Sequence, residues 1–269
     1  MPPEQGNRRP VERGFGVAGA LPLDLVSRLA AAAEAAGYRT FWVNDTPDGD
    51  GLAALREAAS ATAVIRLGVG VVPLDRQPAA TVARRVGELA LPVERLTLGV
   101  GSGRAPGGLD RVRAGAGFLR EETGATVVVG ALGPRMCAVA GEAADGVLLN
   151  WLTPEHARTS AQVVERAAAA VGRGRPRING YVRTALGSAA IARLREEGDR
   201  YASYPSYAAH FARMGVSPIE TAVAASEPDE IVSRLAPFDG VVDETVVRAI
   251  TREDSVDAYL ALLRAAAPR

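Results

Sequence analysis

The chain has 269 residues, 48% of them apolar, enough for one large buried core and incompatible with an intrinsically disordered polymer. Its 31 basic and 31 acidic residues cancel, so no polyanion such as nucleic acid is announced as a partner. All of the basic residues are Arg, which excludes Schiff-base and P-loop lysine chemistry; Cys137 alone and the distant His156 and His210 make neither a disulfide framework nor a metal site.

Residues 1–12 are polar and Pro-rich and read as a disordered leader, with no apolar segment of a secretion signal behind them. Later Ala-rich runs are too short to span a bilayer, so a cytoplasmic protein folded over residues 13–269 is expected. The first strand is expected over 14–18. A helix over 23–36 follows, with Leu25, Leu29, Ala32 and Ala36 on one face and Gly37 closing it. Strands over 39–45, 65–72 and 96–101 come next, each followed by a helix, over 52–62, 79–91 and 109–123. Further strands fall at 125–131, 146–152, 178–186 and 244–250. Between and after them lie helices over 134–144, from Pro154 behind a Thr153 cap, over 188–214 with a break near Pro205, and over 256–267. Ser226 to Asp229 has the spacing of a capping box and is expected to open one more helix.

Eight strands, most of them apolar on both faces, alternate with helices. That is the pattern of a parallel sheet wrapped by helices. Eight βα units in this length fit a single α/β domain, a (β/α)8 TIM barrel, whose active-site residues sit at the C-terminal strand ends. A doubly wound open sheet is the rival, but it usually has fewer strands, and no switch point is visible.

Several familiar motifs fail. Gly99 to Gly103 looks like a nucleotide loop, yet no helix opens directly behind it, and Ser102 lacks the glycine of a nucleophile elbow. Cys137 reads as core, and His156 and His210 as helix positions facing solvent. Gly130, Gly133, Pro134 and Arg135 form a strand end, a Gly-Pro step and a first-turn Arg. The amides of Gly133, Arg135 and Met136 would suit a phosphate there, and an ordinary turn with a first-position proline fits equally well. Gly68 and Gly70 inside one strand mark a bulge or a close approach to a ligand. Asn44, Asp45 and Thr46 put three polar side chains at the end of an apolar strand, as helix caps or as site residues at a barrel mouth.

At these residues the chain resembles the luciferase-like monooxygenase family, flavin- and F420-dependent oxidoreductases built on the (β/α)8 barrel. The resemblance is carried by Thr40 to Asp45, Ile65 to Leu74 with Arg76 and Pro78, Arg95 to Gly103, Gly130 to Met136, and Ala140 to Asn150. It implies F420 or FMN as cofactor, hydride transfer with a small-molecule, unsaturated substrate or a monooxygenase reaction, and a homodimer; the balanced charge and the short apolar runs leave neither nucleic acid nor membrane as an expected partner. It also implies a strand-three bulge, often with a non-prolyl cis peptide, at Gly70 and Val71, and a cofactor phosphate at Gly133, Pro134 and Arg135. Gly101, Ser102, Gly130 and Asn150 complete the expected cofactor contacts; Asp45 and Asn44 are the expected catalytic residues, and no metal is expected. A side chain at Gly70 is expected to collide with the cofactor ring, and Arg183 to bind an acidic group or turn outward. Two departures stand out. Thr46 replaces the His that many F420-using members carry there, and the excursion between strands four and five is shortened to one helix. A non-catalytic flavin-binding or partner protein on the same fold is the alternative; a phosphate-binding lyase or isomerase ranks last.

Overall fold

The computed structural model describes residues 11–268. Nine strands form one sheet: β1 (Glu12–Val17), β2 (Thr40–Val43), β3 (Arg66–Pro73), β4 (Leu96–Gly101), β5 (Thr126–Ala131), β6 (Gly146–Asn150), β7 (Arg177–Leu186), β8 (Val223–Ala225) and β9 (Glu244–Ile250). β1 to β7 pair in order, β7 pairs with β9, and β9 returns to β1, which closes an eight-stranded parallel ring. The (β/α)8 barrel expected from the alternation of apolar strands and helices is the fold.

Helices α1 (Leu23–Ala35), α2 (Gly51–Ser60), α3 (Ala79–Glu88), α4 (Gly108–Thr123), α5 (Pro134–Ala143) and α6 (Pro154–Ala170) each follow a strand. Two helices, α7 (Ser188–Ala202) and α8 (Pro205–Met214), follow β7; α9 (Glu230–Leu235) precedes β9, and α10 (Val256–Ala265) closes the chain. The break between α7 and α8 falls where Pro205 interrupts the expected helical stretch. Its missing N–H is harmless at the first position of α8.

Three expectations need correction. β8 was not anticipated: β6 ends opposite Tyr181, and the protruding end of β7, from Thr184 to Leu186, takes this three-residue strand as a substitute neighbour. A strand so short carries no period of its own. The capping interaction lies at Ser217 rather than Ser226, where Glu220 accepts hydrogen bonds from the Ser217 N–H (2.8 Å) and hydroxyl (2.6 Å); no side chain caps α9. Of the expected leader, residues 1–10 lie outside the described residues, and Glu12 already belongs to β1.

The lumen is filled by Trp42, Val128, Leu148, Tyr181 and Val246. Large side chains fit there because glycine faces them. A Cβ on Gly68 would stand 2.4 Å from the Trp42 ring, and one on Gly70 would stand 2.7 Å from Leu148. At the N-terminal end of the barrel Arg177 joins Glu12 and Glu244 (3.1 Å to the latter), and burial raises the Glu244 carboxyl above its ordinary value. A second apolar cluster of Trp151, Ala185, Ala190, Leu194, Phe211 and Ile250 underlies α7 and α8 at the opposite end. It caps the β6–β7–β9 side of the mouth.

Candidate active site

At the C-terminal strand ends, β3 slips register against β4 between Val69 and Val72, and the Gly70–Val71 peptide is cis. The bulge places the Val71 side chain against glycines of the next two strands. A Cβ on Gly101 would lie 2.8 Å from it, and one on Gly130 would lie 2.9 Å away. Three of the expected cofactor contacts, Val71, Gly101 and Gly130, therefore meet in one ledge, with Val71 and Gly130 half-buried. Gly70 is different. Its missing side chain would run into Leu148 and Trp42 inside the barrel, so packing within the chain by itself favours glycine there. Ser102 follows the ledge, half-buried, its hydroxyl donating to the Gly103 carbonyl at 3.1 Å.

Asn44 holds the bulge. Its amide nitrogen donates to the Gly70 carbonyl at 2.5 Å, and its oxygen accepts from Arg248 Nε (2.8 Å) and from the Tyr181 hydroxyl (3.1 Å). Burial pushes the Tyr181 phenol up to about 12, which keeps the proton it donates. Asp45, the next residue, lies beyond the end of β2 and turns to other partners. Its carboxylate is 1% exposed, pairs with Arg76, and accepts from Gln77 Nε2 and the Gly51 amide, both at 3.1 Å. Burial raises the Asp45 carboxyl, opposed by the Gly51 amide and Arg76. Asp45 and Asn150 thus belong to separate hydrogen-bond groups.

Across the mouth Asn150 accepts from Arg183 Nη1 at 2.5 Å. Arg183 points inward, 2% exposed, bonded through Nε to Glu197 of α7 at 2.7 Å and stacked 3.7 Å from the Trp151 ring centroid. Its charge is thus answered inside the chain. Trp151 sits in the left-handed region at φ +53°, where a bulky L-residue is rarely found. His210, expected at the surface, is 1% exposed and holds this segment: Nε2 meets the Trp151 carbonyl at 2.8 Å and Nδ1 meets Arg213 Nη2 at 3.1 Å. Burial lowers the His210 pKa. A neutral ring that donates from Nε2 and accepts at Nδ1 satisfies both contacts.

Arg213 leads to the helix α5 terminus. It donates to the Leu132 carbonyl at 3.0 Å, and its Nη2 would lie 3.4 Å from a Cβ on Gly133. Gly133 is the N-cap, Pro134 the first helical residue, and Arg135 is exposed in the first turn. The Met136 amide, expected to be free, bonds to the Gly133 carbonyl at 3.1 Å as the helix tightens in its first turn. The Arg213 guanidinium beside Gly133, the helix dipole and an exposed Arg135 in the first turn are chemistry that suits a phosphate.

Sequence reasoning missed Tyr181, Arg248, His210 and Arg213. Alternation in β9 through Glu244, Val246 and Arg248 would have aimed Arg248 inward. Nothing local marks His210 or Arg213, because α8 meets the mouth only through the fold.

Residues 8–111 match the model of a family described as luciferase-like monooxygenase. Three similar solved structures share the fold over nearly the whole chain. The coenzyme F420-dependent tetrahydromethanopterin reductase from Methanopyrus kandleri has a TM-score of 0.72 at 16% identity, covering 95% of this chain and 98% of that one. An F420-dependent secondary alcohol dehydrogenase in complex with an F420–acetone adduct reaches 0.77 at 14% identity, covering 96% and 99%. A type II Baeyer–Villiger monooxygenase, the oxygenating constituent of 3,6-diketocamphane monooxygenase from Pseudomonas putida in complex with FMN, gives 0.67 at 15% identity, covering 97% and 99%. The family's sequence pattern thus covers the first four strands, and the likeness to these structures shows the (β/α)8 fold over nearly the whole chain.

Proposed function

We propose that this barrel is an F420- or FMN-dependent oxidoreductase or monooxygenase acting on a small unsaturated organic substrate. The observation that carries the reading is the α5 terminus, where Gly133 faces Arg213 and Arg135 occupies the first turn. There a cofactor phosphate would be held without any lysine. F420 or FMN, when bound, supplies a ring that accepts and returns hydride. Val71 and Gly130 offer that ring an apolar ledge at the mouth, bordered by Ser102 and Asn150. Asn44 is a positioning residue that fixes the Gly70 carbonyl and so the height of the ledge. Asp45, tied to Arg76, shapes the loop behind it rather than touching substrate.

Spectral titration with FMN and with F420 tests this. One of them is expected to bind with saturation at one per chain, and Arg213→Met to weaken it about tenfold or more, since a hydrogen bond to a charged group contributes about 1.5–3 kcal/mol. Binding of neither would defeat the reading. The alternative, a non-catalytic flavin-binding or partner protein, is favoured by one observation: Arg183, Glu197 and Trp151 satisfy one another and fill one side of the mouth.

A homodimer belongs to the proposal. Leu74, Pro78, Ala79, Ala114 and the exposed Phe118 line a cavity of about 570 Å³ between α3 and α4, an apolar face of the kind buried between subunits. Light scattering should give twice the chain mass, and Phe118→Asp should halve it.

A further inference from the structure

We propose that the barrel mouth takes a substrate bearing a carboxylate, bound through Arg248. The alternation of β9 turns Arg248 toward the axis, one step beyond Val246 in the row that lines the lumen. The residue is 8% exposed. Its Nε donates to Asn44 and its Nη1 to the Ala249 carbonyl, which fixes the guanidinium plane. Nη2 has no hydrogen-bond partner among the described residues, and none of their carboxylates lies within salt-bridge distance of the group.

The charge count of the buried group formed by Arg183, Arg248 and Glu197 makes this unusual. Arg183 and Arg248 contribute two positive charges, and Glu197, bonded to Arg183 at 2.7 Å, contributes one negative. Tyr181, the other polar group bonded to Asn44, is a neutral phenol. Glu197 faces both guanidinium groups, and within this buried trio one positive charge is left over. Burying a charge is costly unless it is paired, and Arg, unlike Lys, cannot shed its proton to escape the cost. An external anion answers it. The excess of a single charge suits a monoanion such as a carboxylate better than a dianionic phosphate monoester, and the N–H groups of Nη2 are donors of the right geometry. Asn44, to which Arg248 Nε donates, is itself only half-buried. As a statement about substrate the inference rests on the proposed function. As a statement about anion binding it does not.

The test is calorimetric titration of the full chain with sodium benzoate and, as its neutral counterpart, benzamide, at constant ionic strength. Benzoate is expected to bind at one per chain, with benzamide at least tenfold weaker. Arg248→Met should lose at least tenfold of the benzoate affinity, and Arg248→Lys should recover part of it. If Arg248→Met does not fold, the benzoate–benzamide difference and the Lys variant decide. Equal affinity for benzoate and benzamide, or undiminished benzoate binding by a folded Arg248→Met, would overturn the inference. So would displacement of benzoate by FMN or F420, because the guanidinium would then serve the cofactor's own anionic groups. If benzoate binds as expected and neither cofactor binds, the oxidoreductase reading fails while the anion site stands.

Discussion

At the scale of single residues, the mouth depends on two contacts that no local pattern announces. His210 supplies the partner of a carbonyl held by the left-handed Trp151 and, through its other nitrogen, orients Arg213. Replacing it by Leu should cost about 1–3 kcal/mol, because a buried carbonyl and a guanidinium N–H lose their partner. Its titration has a definite sign. The folded pKa lies below the ordinary value of 6.5 because of burial, so the unfolded chain binds the proton more readily. The contribution of neutral His210 is therefore complete above about pH 6.5 and declines as pH falls from there toward the lower folded value. Urea denaturation between pH 5 and 8 should show this slope in the parent and a shallower one in His210→Gln. Val71 and Gly130 form the second contact. Gly130→Ala should destabilise the barrel, and Val71→Ala should relieve much of that penalty; a double-mutant cycle is expected to give a coupling of about 0.5–3 kcal/mol. Strict additivity would mean that the two side chains do not meet.

At the scale of elements, the short connection from β4 to α4 is tied down rather than loose. Asp75, beyond the end of β3, accepts from the amides of Arg104 (2.7 Å) and Ala105 (3.1 Å), and a Cβ on Gly103 would stand 1.7 Å from its carboxylate. Desolvation works against the charge, but the two amides outweigh it and hold the Asp75 carboxyl below the ordinary range. Arg111 of α4 adds bonds to the carbonyls of Ser102, Ala105 and Pro106. Opposite, Arg104 lies 4.9 Å from the Tyr204 ring centroid at the start of α8. Hydrogen exchange should reveal the clasp: in Asp75→Ala the amides of Arg104 and Ala105 are expected to exchange at least tenfold faster, with those of β4 unchanged. Unaltered rates at both amides would show that Asp75 does not hold the loop.

At the scale of the whole molecule, the barrel was legible because period and punctuation agree. Strands such as Leu96–Gly101 fall at the expected residues, bounded by turn residues and apolar on both faces. The α5 terminus was legible for the same reason, since Gly133 and Pro134 mark a helix start in any context. The partners of those features were not. Glu197, His210 and Arg213 reach the mouth from α7 and α8, and their contacts span from 14 to 81 positions in sequence. Asp45 shows the converse limit: position at a strand end suggests chemistry, but its pairing with Arg76 could not be read from the sequence. What joins these observations is the proposed seat of a cofactor phosphate at the α5 terminus, on one side of an apolar ledge. The most direct test compares FMN with riboflavin, and F420 with its dephosphorylated deazaflavin core, on the parent and on Arg213→Met. The parent should favour the phosphorylated form of its cofactor by about tenfold or more, and Arg213→Met should largely remove that preference. Equal affinity of the parent for phosphorylated and dephosphorylated rings would contradict this phosphate site, and with it the proposed seat of the cofactor.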